Sequence, residues 1–131
     1  MSKAEQFEAL ALRCEQATGP DRELDADIWL LCVPGAARKH TSYFHKASGR
    51  ECVIDETRDV TGRLIIVPAY SASLDAALTL VPDGSPASLI IFANKRSFAE
   101  CEDDNQREAA TPALALCAAA LRARAQMERG K

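Results

Sequence analysis

No apolar run in the 131-residue chain approaches the ~20 residues that a membrane-spanning helix needs, and Met-Ser-Lys-Ala-Glu-Gln is a polar start without a signal-type hydrophobic stretch. A cytoplasmic protein with no membrane partner is therefore expected. A basic excess is also missing: formal net charge is −3, which argues against general electrostatic attraction to nucleic acid, so direct nucleic-acid binding is not expected. There is no glycine-rich loop followed by lysine to cradle a nucleotide phosphate, and no Gly-x-Ser-x-Gly elbow to expose a nucleophilic serine. The five cysteines, Cys14, Cys32, Cys52, Cys101 and Cys117, form an odd set without a Cys-x-x-Cys pair. They read as reduced, mostly buried thiols. No catalytic constellation, metal site or cofactor is expected.

The chain has the length of about one domain, 1–131, and apolar residues make up 47% of it, enough for a single core. Ser2 with Glu5 suggests a capped helix over residues 3–18, with Phe7, Leu10, Cys14 and Ala17 at helical spacing. Pro20 and the Leu24, Ile28, Leu31/Cys32 stripe predict a second helix over 21–32, with Trp29 near its edge. Residues 33–50 have no period and carry Pro34, Gly35 and Gly49, so they read as a long loop or an irregular strand. Glu51–Ile54 and Arg63–Val67 look like two strands of a hairpin.

From Leu64 to Leu80 a strand breaks at Pro68 and enters an alanine-rich helix that Ser71 or Ser73 can cap, ending at Pro82-Asp83-Gly84. Ala87–Phe92 and Ser97–Cys101 predict a hairpin around Asn94-Lys95. Thr111-Pro112 then opens a last helix to about residue 128, its seam formed by Leu114, Cys117, Leu121 and Ala125. The order α-α-β-β-α-β-β-α is that of an α+β domain, an antiparallel sheet of about four strands layered with helices.

Three blocks, Leu12 to Ile28, Pro68 to Gly84 and Ala110 to Ala123, resemble a family of short proteins of bacteriophages and alphaproteobacterial prophages, similar to phage ABA sandwich proteins. The resemblance implies a phage origin; the family has no assigned activity and supplies no catalytic residues. Where members continue the Val-Pro-x-Gly turn with a tryptophan-rich strand, this chain has Ser85-Pro86-Ala87, and residues 33–62 match nothing.

Two groups of residues are candidate binding sites. At the 64–80 junction, Tyr70, Ser71 and Ser73 stand at a helix start, where free N–H groups favour an anionic ligand or nucleotide; the competing reading is a helix cap and a packed ring. Between Ile28 and Arg50 there is no acidic residue, while Arg38, Lys39, Lys46 and Arg50 are interleaved with Tyr43 and Phe44. Such a mixture suits contact with a partner protein, against the alternative of a solvated loop with Phe44 tucked into the core.

Other constellations are weaker. Cys32, His40, His45 and Cys52 lack paired metal-ligand spacing. His40 or His45 has no evident serine nucleophile to serve. Glu100, Glu102, Asp103, Asp104 and Glu108 form an acidic cluster suited to the start of the last helix, and Arg122, Arg124, Arg129 and Lys131 suit its end. The alanine-rich face of that helix would serve internal packing or a homodimer. The leading expectation is a non-enzymatic phage accessory protein that binds a host or phage protein, such as a component of host defence. A small-ligand domain at Tyr70–Ser73 is the alternative.

Overall fold

A computed structural model describes residues 1–101 and 106–130. Its described elements run α1 (Lys3–Gln16), α2 (Arg22–Cys32), β1 (Ala37–His45), β2 (Arg50–Arg58), α3 (Leu74–Leu78), β3 (Ala87–Ile91), β4 (Ser97–Cys101), β5 (Arg107–Ala109) and α4 (Pro112–Arg129). The architecture is α+β, with an antiparallel pair β1-β2 and a separate antiparallel sheet ordered β3-β4-β5. No described helix is long and apolar enough to cross a membrane.

The body is built around α4. Its N-terminus is set by Thr111, whose hydroxyl accepts from Leu114 N, with Pro112 in the first turn where its missing N–H costs nothing. The anticipated seam of Leu114, Cys117, Leu121 and Ala125 is fully buried, but burial also takes in Ala115, Leu116, Ala118, Ala119 and Ala120. The cause is that α4 packs against α1, α3 and the three-stranded sheet together. A helix enclosed in this way needs side chains small enough for close approach on several faces, and alanine supplies them without loss of helix propensity. The alanine face therefore serves internal packing, not a dimer seam. Phe7, Leu10 and Cys14 of α1 complete the contact as their spacing predicts.

Charges close the outer rim of the α1–α4 pair. Arg122 donates to Glu15 at 2.7 Å, and Arg129 bonds to Glu8. Arg124 Nε reaches the carbonyl of Leu80 at 2.7 Å. These arginines thus clamp neighbouring elements as well as standing near the helix end; Lys131 lies outside the described residues. Trp29, placed near the helix edge by the pattern of α2, is buried in the core.

In the β3-β4-β5 sheet, β4 alternates as a half-buried strand should: Ser97, Ala99 and Cys101 face α4, while Phe98 and Glu100 face outward. The β3–β4 turn falls at Asn94-Lys95, as predicted, with Lys95 at φ +74°. Strand β5 was not foreseen. Its three residues place Ala109 under α4 and Glu108 on the outer face, where Glu108 pairs with Arg96. Glu100 and Glu108 are consequently strand residues, not first-turn charges of α4, and Glu102, Asp103 and Asp104 lie outside the described residues.

The largest departure from the sequence reading is segment 33–62. Residues 37–45 form a regular strand, and β2 pairs with it, from Ala37 opposite Arg58 to His45 opposite Arg50. The anticipated pairing of 51–54 with 63–67 shrinks to a single bridge, Arg58 to Leu64, with a bond from Ile65 N to Thr57 O. Asp59 turns the chain here by accepting from Thr61 N and Arg63 N. Gly35 begins the excursion at φ +75°, and a Cβ there would lie 2.7 Å from Cβ of Val60, where the chain returns.

Candidate functional site

The six residues singled out between Arg38 and Arg50 all lie on the β1–β2 hairpin, but strand alternation divides them. Directly opposed residues share a face. Lys39, Tyr43 and Arg50 therefore share one face with Thr41, Cys52, Ile54 and His45, whereas Arg38 and Phe44 share the other with His40, Val53 and Asp55. Lys46 sits in the four-residue turn between the strands.

Arg38 has a structural task. Its side chain is only 11% exposed, and its guanidinium makes paired bonds to Glu23 of α2 (2.8 and 2.9 Å) and to Asp55 of β2 (2.6 and 3.0 Å). The bond to Arg38 holds both carboxyls below their ordinary range and raises the arginine further above its own. Arg38 thus fastens the base of the hairpin to α2, while the rest of the hairpin projects as an arm.

Beyond this fastening the arm's apolar side chains face solvent. Phe44 and Val53 are each 65% exposed, and Tyr43 and Ile54 are exposed on the opposite face. Phe44 does not tuck into the core. The sequence favours this hairpin because β-branched and aromatic residues match a pleated ribbon even without a core beneath it. At the tip, Ser48 N donates to His45 Nδ1 at 3.2 Å and locks the turn. Tyr43, His45 and Arg50 share a face near the tip, and Lys46 is in the turn beside them, so the tip joins exposed cationic and aromatic groups.

The main-chain edge of the arm is open as well. Thr57 turns its carbonyl to Ile65, away from β1, so Arg38, His40, Ser42 and Phe44 on the paired strand turn their own N–H and C=O groups outward. No described strand pairs with that edge.

The Tyr70–Ser73 turn is arranged differently. Ser73 caps α3 by accepting from Ala76 N at 3.2 Å. Ser71 is buried; its N–H donates to Asp25 Oδ1 at 2.7 Å, and its hydroxyl accepts from Asp21 N at 2.8 Å and donates to Asp21 O at 3.2 Å. Tyr70 is a core residue whose ionisation burial pushes up to about 12, and its carbonyl accepts from the Cys117 thiol. Both serine hydroxyls are thus engaged in the fold, and the helix that follows has five residues. This turn staples the start of α2 to the body.

The remaining constellations are not assembled. Cys32 ends α2 and lines a cleft of about 450 Å³ with Lys3, Phe7 and Arg124, and burial pushes its thiol away from ionisation. His40 faces Asp55 at 3.7 Å on one side of the arm, while His45 and Cys52 lie on the other. The described residues contain no group of three His, Cys, Asp or Glu side chains that could hold a metal. The histidines are on the arm and Ser71 and Ser73 are in the body. Sequence reasoning missed Val53, Ile54 and the open β1 edge. Their signal was the run from Arg50 to Arg58, a strand whose partner lay in the segment read as irregular. Comparison of the chain with family models, curated proteins and solved structures gives no match.

Proposed function

We propose that the chain is a non-enzymatic accessory protein that binds another protein through the β1–β2 arm. The observation that carries this reading is the combination on one projecting ribbon of exposed Tyr43, Phe44, Val53 and Ile54 with cationic groups at its tip and an unpaired edge. Aromatic and aliphatic side chains held in solvent by main-chain pairing contribute little to folding. They are pre-positioned for a partner, which they can meet with little further loss of conformational freedom. An extended segment of the partner can also add to the free edge of β1.

The resemblance to short phage and prophage proteins supports a partner inside a bacterial host, and a host-defence component is the class we favour. The test is affinity capture from host lysate with the wild-type chain and with a Phe44→Ser, Val53→Ser double variant. A protein retained by the wild type and lost with the variant is expected. Identical recovery by both chains would reject the arm as the contact.

A further inference from the structure

The arm is not the only open edge. Strand β3, at the border of the three-stranded sheet, carries no charged side chain from Ala87 to Phe92, and Ile90, Ile91 and Phe92 are about half exposed. Monomeric proteins protect such edges with charge, proline or a covering element, because a neutral apolar strand invites another strand. Among the described residues nothing pairs with the outer edge of β3.

We infer that this edge pairs with β3 of a second copy, joining two three-stranded sheets into one. The pairing of the sheet sets the register. Phe92 N donates to Arg96 O, so Phe92, Ile90 and Ser88 turn their main-chain groups toward β4, while Ala87, Leu89 and Ile91 turn theirs outward. A twofold antiparallel ladder that uses these outward groups and spans the whole strand is centred on Leu89. It sets Leu89 opposite Leu89 of the second copy and Ala87 opposite Ile91 of the second copy.

Two further observations fit that register. First, the helix side of the edge has a waiting groove. Leu74 and Leu78 of α3 are substantially exposed, and with Ala87, Leu89 and Leu116 they line a space of about 180 Å³. Residues 87, 89 and 91 are opposite Cys101, Ala99 and Ser97, which face α4. The same side chains of an added antiparallel strand would therefore face the side on which Leu74 and Leu78 are exposed.

Second, the charges at the two ends of β3 are complementary. Asp83 and Lys95 are both exposed, the first in the turn before β3 and the second in the turn after it, so a twofold antiparallel pairing places the Asp83 end of each copy at the Lys95 end of the other. Neither side chain forms an ion pair among the described residues. The edge is thus self-complementary in polarity and in the charges at its ends, as a twofold contact requires.

Light scattering coupled to size exclusion over a dilution series tests this directly. The wild-type chain is expected to show twice its 14.2 kDa mass at high concentration and to dissociate on dilution. Ile91→Lys changes an exposed side chain and should weaken the dimer by about tenfold or more while far-ultraviolet circular dichroism stays native. Asp83→Lys or Lys95→Asp alone should weaken association, and the combined Asp83→Lys, Lys95→Asp chain should recover it.

A wild-type chain that stays at 14.2 kDa at the highest concentration it tolerates would overturn the inference, leaving the edge to a different occupant. A dimer indifferent to Ile91→Lys would also overturn it, by placing the contact elsewhere. Failure of the charge exchange to restore association would reject the Leu89-centred register. The Phe44→Ser, Val53→Ser arm variant should dimerise normally, so this result and the arm's role are read separately.

Discussion

The molecule contains two antiparallel hairpins that owe their form to different forces. In β3–β4 the alternation of β4 matches burial, with Ser97, Ala99 and Cys101 covered by α4. In β1–β2 nearly every residue of β1 is exposed, and Arg38, the principal tie to the helices, acts through ion pairs at the base. The first hairpin is held by what it covers. The second is held by its own ladder and by ties at its base, the Arg38 ion pairs and the bonds between Thr57 and Ile65, which makes it the place where a perturbation can change shape without unfolding the body.

The comparison breaks most sharply in the core. Phe7→Ala removes a fully buried ring between α1 and α4 and should cost about 3–5 kcal/mol in denaturant unfolding. Next comes the staple at α2. Asp25→Ala leaves the buried N–H of Ser71 without its acceptor and should cost about 1–3 kcal/mol by the same measurement.

Arg38→Ala should do something different in kind. Its carboxylate partners Glu23 and Asp55 are largely solvated, so global stability should fall by only about 1 kcal/mol or less. Amide hydrogen exchange across β1 and β2 should nonetheless accelerate while α4 remains protected. Acid should mimic this change. The folded carboxyls of Glu23 and Asp55 sit below their unfolded values, so their contribution is complete above the ordinary carboxylate range and is lost as pH falls through the depressed one. The arm should therefore loosen before the body melts. If α4 and the arm lost protection together in acid, the two regions would be one cooperative unit. The smallest effect on folding is expected from Phe44→Ala with Val53→Ala, within about 0.5 kcal/mol of wild type, because those side chains cover nothing.

How much could be read from the sequence follows the same division. Phe7, Leu10 and Cys14, or Leu114, Cys117 and Leu121, repeat at helical spacing because burial imposed a period on them, and the α+β class and all four helices were legible from such patterns. The arm has no core beneath it, so nothing imposed an inside and outside alternation on residues 37–45, and a regular strand read as a long loop or an irregular strand. Strand β5 escaped because three residues cannot establish a period. Arg38 was noticed for its charge, but its partners Glu23 and Asp55 are 15 and 17 residues away on different elements, a pairing that only the fold creates. At the Tyr70–Ser73 turn the cap was visible in sequence, whereas the bond from Ser71 to Asp25 spans 46 residues and was not.

Gly35 and Val60 touch where the chain leaves the body and where it comes back, and at Gly35 there is no room for a Cβ. The intervening ribbon is in effect a cassette between two posts. Beyond the Arg38 tie its side chains are largely exposed, so the length and tip of the ribbon can be exchanged while the posts and the contact with α2 stay in place.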